Sequence, residues 1–179
     1  DLGILKYADQ IWVSDNTHAL DRLNIQYGFS QVFPAITMES WVTDADRGKL
    51  PLEFRFHVSM CGSLGIGGNL LQWTQAEINE ASVCISRYKQ HREVIQFGNQ
   101  YRLSKYATQY LRKDAEKGVL FVFQTGADPI NIHLRGLNPE VEYKIEGFPQ
   151  VLSGAEWMSR EISFPLLQHT STLREITSQ

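Results

Sequence analysis

Ile11-Trp12-Val13-Ser14-Asp15-Asn16-Thr17-His18 is the stretch that decides the fold. A short apolar run, residues 11–13, stops at four residues whose side chains all favour helix N-termini. Oxygens of Ser, Asp, Asn and Thr accept from the orphan N–H groups of a first helical turn. The spacing predicts a helix over 18–32, with Leu20, Leu23 and Tyr27 on one face and Pro34 closing it. The same grammar recurs downstream. Residues 36–43 read as a strand, 52–61 have helical spacing at Leu52, Phe56 and Cys61, and 62–70 read as a strand and loop. Thr74 and Glu77 form a capping box that opens a helix over 74–97. Ile78, Ala81, Ile85, Tyr88 and Ile95 share its face, and Gly98 supplies permissive backbone at its end. Strand and helix in alternation predict a parallel sheet covered by helices.

From Tyr101 the pattern changes. The run at 119–123 is followed by the turn Gly126-Ala127-Asp128-Pro129. Residues 130–134 alternate, Gly136-Leu137-Asn138-Pro139 turns the chain into 142–145, and 173–176 close the sequence. An antiparallel β module of roughly eighty residues is expected. The predicted fold class is therefore α/β plus all-β, with 1–98 and 99–179 as its two parts. The 179 residues include 42% hydrophobic side chains, among them Trp12, Trp41, Trp73 and Trp157, which excludes a disordered chain. No apolar run approaches the roughly 18 residues of a membrane-spanning helix. Lys+Arg 17 against Asp+Glu 20 gives a net charge of -3 with no basic block, so neither nucleic acid nor a membrane is expected as a partner. Cys61 and Cys84 have no metal-ligand spacing; they could pair, although a chain of this size needs no staple. With no Asn-x-Ser/Thr site and no signal-peptide pattern, a cytoplasmic location is expected. Asp1-Leu2-Gly3-Ile4-Leu5 lacks an initiator Met, which reads as a chain cut from something longer.

In parallel sheets with helical crossovers, reactive groups collect where strands end. Asp15 sits at such a place, and Glu39 and Asp44 lie in or after the next strand. Two carboxylates at neighbouring strand ends suit acid and nucleophile, or acid and base, around a glycosidic bond. On residues alone, Asp15 reads first as a helix N-cap. The glycines of 62–68 have neither the dinucleotide nor the phosphate-loop order, so packing is their expected role. His57 and Cys61, four apart on a helix, lack a third ligand and read as a buried, satisfied pair. Asp44-Ala45-Asp46-Arg47-Gly48 fails as a calcium loop, because its third oxygen position is Gly48 and no bidentate Glu follows. No Gly-x-Ser-x-Gly elbow is present. Trp12, Trp41 and Trp73 are candidate sugar platforms, with core packing as the commoner use.

Trp12-Val13-Ser14-Asp15-Asn16-Thr17 followed by Asp21-Arg22-Leu23-Asn24-Ile25-Gln26-Tyr27-Gly28 resembles the signature of glycoside hydrolase family 36. That family comprises retaining α-galactosidases and α-N-acetylgalactosaminidase relatives. The resemblance continues through Phe54-Arg55-Phe56-His57-Val58-Ser59-Met60, Gly62-Ser63-Leu64-Gly65-Ile66-Gly67, Tyr88-Lys89-Gln90-His91-Arg92 and Tyr101-Arg102-Leu103. More loosely, it includes Leu134-Arg135-Gly136-Leu137-Asn138-Pro139 and Leu152-Ser153-Gly154-Ala155.

The resemblance implies a TIM (β/α)8 barrel followed by an antiparallel β-sandwich, of which this chain holds the last three β/α units and the C-terminal domain. Asp15 matches the general acid/base, with Trp12 and Ser14 as supporting substrate contacts, and Glu39 has no catalytic role. His18 stands where the family usually has Asp, a departure that touches local hydrogen bonding. The family's nucleophile lies in a Lys-x-Asp motif, and a sugar-contacting Cys-x-Gly-Gly-Gly precedes the position of Asp1; neither motif occurs in this sequence. The implied substrates are α-galactoside oligosaccharides of the raffinose or melibiose type, with α-N-acetylgalactosaminides as an alternative. The full-length enzyme is expected to be a homo-oligomer needing no metal or organic cofactor. The competing reading is a non-catalytic assembly module in which Asp15 only caps a helix. Three parallel strands cannot close a barrel, so exposed sheet edges and apolar helix faces are also expected.

Overall fold

The computed structural model describes residues 2–179; Asp1, where the expectation of a longer chain begins, lies outside them. The first part is strand, helix, strand, helix, strand, helix: β1 Ile11–Trp12, α1 Ala19–Phe29, β2 Met38–Val42, α2 Leu52–Met60, β3 Ser63–Ile66 and α3 Gln75–Phe97. The strands form a parallel sheet in the order β1-β2-β3, with Trp12 level with Glu39 and Glu39 level with Ser63. Side chains alternate across it. Met38, Ser40 and Val42 are buried towards the helices, while Glu39 is exposed and Trp41 half-buried on the other face. Val13 continues the alternation by packing into the helix-side core, which leaves Trp12 65% exposed.

Several boundaries move from the sequence expectation for local reasons. Residues 35–37 form a 3-10 turn rather than the start of a strand, because Thr37 Oγ1 donates to the Pro34 carbonyl (2.8 Å). Helix α1 stops at Phe29, whose ring stacks on Phe33 (4.6 Å) as the chain turns away. The capping box of α3 is formed: Glu77 N–H donates to Thr74 Oγ1 (3.2 Å) and Thr74 N–H to Glu77 Oε2 (2.8 Å). Arg47 adds two hydrogen bonds, and together with Thr74 it holds the Glu77 carboxyl down to about 2. Gly98 keeps an ordinary extended backbone, φ −78°. What it supplies is space, since a Cβ there would collide with the Val94 and Leu111 carbonyl oxygens.

The second part is antiparallel. Six strands, β4 Asn99–Ser104, β5 Ala107–Leu111, β6 Lys117–Phe123, β8 Glu142–Ile145, β9 Val151–Ser153 and β11 Ser171–Ser178, lie in the order β4-β5-β6-β11-β8-β9. β7 Ile130–Ile132 pairs with β10 Ile162–Phe164 as a second, small sheet, and α4 Gly154–Ser159 is a short helix after β9. The chain as a whole is a mixed α/β structure dominated by antiparallel strands.

Strand β6 shows how the parts are joined. Val119, Phe121 and Phe123 belong to a core that also holds Phe54, Phe56, Val58, Met60 and Ile95 of the helices. Leu120 and Val122 face the opposite way, into a second core with Ile132, Tyr143, Trp157 and Phe164. A strand buried on both faces reads as a continuous apolar run, as this one does. Helix α2 has eight of its nine residues buried because it lies between the parallel sheet and β11. A helix apolar on one stripe would not fit there.

His57 marks that junction. Its Nδ1 shares a hydrogen bond with Ser171 Oγ of β11 (2.8 Å), and its ring meets Phe121 edge-on (5.9 Å). Burial, reinforced by the Arg87 charge, pushes the imidazole down to about 4. The folded state thus takes up its proton later than an unfolded chain, whose His titrates near 6.5. The contribution to stability is complete above about pH 6.5 and is lost as pH falls towards 4. Between pH 7 and 4.5 His57 should account for about 2–3 kcal/mol of the loss. Urea unfolding at both pH values, comparing wild type with His57→Gln, should show a shallower decline in the variant; parallel declines would contradict it.

Cys61 and Cys84 are buried and unpaired, so the possible pairing is not formed, and burial raises both thiols to about 12. Cys61 Sγ donates to the His57 carbonyl (3.5 Å), and no group suited to a metal ion occurs among the described residues. No helix among them is long and apolar enough to cross a membrane.

Candidate active site

Asp15 lies just beyond the C-terminal end of β1, in the loop that leads to α1. It is not the cap of that helix. His18 occupies the N-cap position and makes no side-chain capping bond. The cap comes instead from Asp46, in the loop after β2. Ala19 N–H donates to Asp46 Oδ2 (2.5 Å), and His18 Nδ1 donates to Oδ1 (2.6 Å). A carboxylate at a helix N-terminus satisfies an orphan donor and complements the helix dipole. The residue that departs from the family pattern, His18, is therefore one that Asp46 holds.

The loop is fastened by its main chain. Arg22 Nη2 donates to the Asp15 carbonyl (2.9 Å), as does Thr17 N–H (2.8 Å), and Thr43 Oγ1 donates to the Thr17 carbonyl (3.3 Å). The hydroxyls of Ser14 and Thr17 share a hydrogen bond, so Ser14 is engaged locally. The Asp15 carboxylate has no hydrogen-bond or ion-pair partner among the described residues and is exposed. It shares an open depression with Trp12, Val13 and Ser14.

Of the candidate sugar platforms, Trp12 alone presents an open face. Its ring meets Trp41 edge-on (4.8 Å). Trp41 lies under the Arg22 guanidinium (4.7 Å) and against Gly65 and Gly67, where a Cβ would strike its side chain. The glycine run is thus a packing feature. Trp73 is buried, and its Nε1–H donates to Asp44 Oδ1 (3.0 Å), which removes it as a platform. Asp44 also accepts from Asn69 N–H (2.6 Å). Both acidic residues of the rejected calcium loop therefore organise loops. Glu39 stands level with Trp12, three residues short of Asp15 along the strand, so it does not face Asp15 as a strand-end partner.

Arg22 and Gln26 are one turn apart on α1. Arg22 reaches the Asp15 loop, and Gln26 Nε2 donates to Ser40 Oγ of β2. Burial pushes the Arg22 guanidinium down, with Asp46 opposing the shift. In the sequence Asp46 stands out only as part of the rejected calcium loop, and Arg22 only as a member of the signature stretch 21–28; the bonds each makes bridge separate segments, so spacing does not reveal them.

The family model described as Melibiase matches residues 1–98, and that described as Glycosyl hydrolase family 36 C-terminal domain matches residues 105–174. This chain belongs to the melibiase family, glycoside hydrolase family 36. The chain is 34% identical over 179 residues to Probable alpha-galactosidase C of Aspergillus terreus, covering 92% of the chain and 24% of the relative. It is 35% identical over 171 residues to Alpha-galactosidase Mel36A of Lactobacillus acidophilus, covering 88% and 23%. The chain thus spans about a quarter of the length of the curated relatives it matches. Among solved structures, the galactosidase domain of alpha-galactosidase-sucrose kinase AgaSK superposes with a TM-score of 0.92 at 27% identity, over 100% of this chain and 27% of that one. A variant of alpha-galactosidase AgaA from Geobacillus stearothermophilus in complex with raffinose gives 0.90 at 28% identity, with the same coverage.

Proposed function

We propose that this melibiase-family chain is the C-terminal portion of a retaining α-galactosidase, with Asp15 as its general acid/base. In this reading 1–98 supply the last three β/α units of a TIM barrel and 99–179 the C-terminal β domain. The observation that carries it is the Asp15 carboxylate itself, unpartnered and solvent-facing on a loop fastened through its backbone at a parallel strand's C-terminal end. Such a loop leaves the side chain available for proton transfer. The competing role, a helix cap, is taken by Asp46.

The mechanism needs a second carboxylate, from the part of the enzyme outside this chain, about 5–5.5 Å from the first. That carboxylate attacks the anomeric carbon while the glycosidic C–O bond breaks, and Asp15 delivers its proton to the departing oxygen. An anionic neighbour favours the protonated form of an acid, and glycosylation of the nucleophile removes that anion. Asp15, now a carboxylate, takes a proton from water as the water attacks the anomeric carbon and frees the nucleophile. Two inversions retain the α configuration. Trp12 would offer its exposed face to the sugar or the leaving group, and Ser14 would sit beside it. Substrates of the raffinose type are supported by the raffinose bound to the AgaA variant.

The test is stereochemical. In the intact enzyme, proton NMR should show α-galactose as the first-formed product of an aryl α-galactoside, before mutarotation. The 179-residue chain alone should give no turnover. β-Galactose as first product, or turnover by the chain alone, would overturn the proposal.

A further inference from the structure

Arg22 is 1% exposed, yet its guanidinium is poorly satisfied. Nη2 donates to the Asp15 carbonyl, and Nη1 has no partner among the described residues. A buried cation with an unpaired arm is costly, and an unsatisfied buried donor in a native structure asks for a reason beyond stability. Asp46 offers charge compensation, and the Trp41 face supports the guanidinium from one side. What this arrangement holds is the loop of one residue, Asp15.

We infer that Arg22 is a positioning residue for general acid/base catalysis, setting the aim of the Asp15 carboxyl through the Asp15 carbonyl while Trp41 holds the guanidinium in place. This rests on the acid/base reading of Asp15. The chain of contacts runs from β2 through Trp41 and Arg22 to Asp15, so a rigid strand fixes a proton donor that sits on a loop. Proton transfer demands hydrogen-bond reach, and misplacement by about 1 Å can cost on the order of 100-fold. A lysine cannot reproduce the arrangement. Its ammonium is a point charge without the planar fork that stacks on an indole while donating sideways.

The experiment compares Arg22→Met, Arg22→Lys and Asp15→Asn in the intact enzyme, using raffinose and an activated aryl α-galactoside. Raffinose needs a proton on its leaving oxygen; the aryl substrate barely does. Arg22→Met should lower kcat/KM on raffinose about 100-fold and on the aryl substrate by less than about 10-fold. Arg22→Lys should show the same imbalance at smaller amplitude, and it serves as the readout if the Met variant does not fold. Equal losses on both substrates, as general unfolding gives, or no loss on raffinose, would overturn the inference while Asp15→Asn keeps its own imbalance. An Asp15→Asn variant without that imbalance would instead remove the acid/base reading on which the inference stands.

Discussion

Asp15→Asn in the intact enzyme is expected to lower kcat/KM on raffinose by about 1,000-fold, within the range general acid catalysis supplies. An amide of the same shape preserves the loop, because every bond that fastens Asp15 is made by its main chain. It can neither give a proton to the leaving oxygen nor take one from water. Activated aryl α-galactosides should lose much less in the first step, since their leaving groups depart as stable anions. Their second step still lacks a base, so a glycosylated enzyme should accumulate as a burst. Azide, which attacks without giving up a proton, should relieve that block and yield an α-galactosyl azide. A uniform loss across both substrate types, with no burst and no rescue, would show that Asp15 is not the acid/base.

The second large effect falls on stability. Asp46→Ala should destabilise the start of α1 and its loop by about 1–3 kcal/mol, the cost of losing a helix cap and leaving a buried donor without its acceptor. The Ala19 N–H loses its acceptor, His18 loses its partner, and Arg22 keeps its buried charge with less to oppose it. Asp46→Asn retains an acceptor oxygen for Ala19 and should cost clearly less. Hydrogen exchange read at the amides of the first turn of α1, alongside the melting temperature, separates the two variants. Unchanged protection at Ala19 in the alanine variant would mean that Asp46 is not the cap.

These two residues show where the sequence was legible. Periodicity finds α2 and α3, and the Thr74/Glu77 box locates the start of α3, because both signals are local. The β6 run, 119–123, declares itself through its apolar side chains. Asp15 could be picked out by its place at a strand end, but its role there could not. Ser14-Asp15-Asn16-Thr17 carries four good capping side chains, yet the cap arrives from residue 46. A cap contributed across 27 positions leaves no local pattern. Short elements escape for a related reason. β5, β9, β10 and α4 are three to six residues long and are fixed by pairing and by Trp157, whose Nε1–H donates to the Tyr143 carbonyl (2.9 Å). The motif Arg-x-x-x-Gln at 22 and 26 was visible, but its purpose needed β2 and the Asp15 loop to be brought beside it.

The core that passes from α2 into β6 has a consequence for anyone building hybrids of family members. Phe54, Tyr110 and Phe121 belong to one cluster although they come from either side of Gly98. Tyr110 OH donates to the Cys61 carbonyl (2.7 Å) across the same seam. A crossover point placed at Gly98, where the melibiase match ends, would cut through a shared interior. A chimaera joined there needs the inner faces of α2 and α3 grafted from the same parent as the β domain.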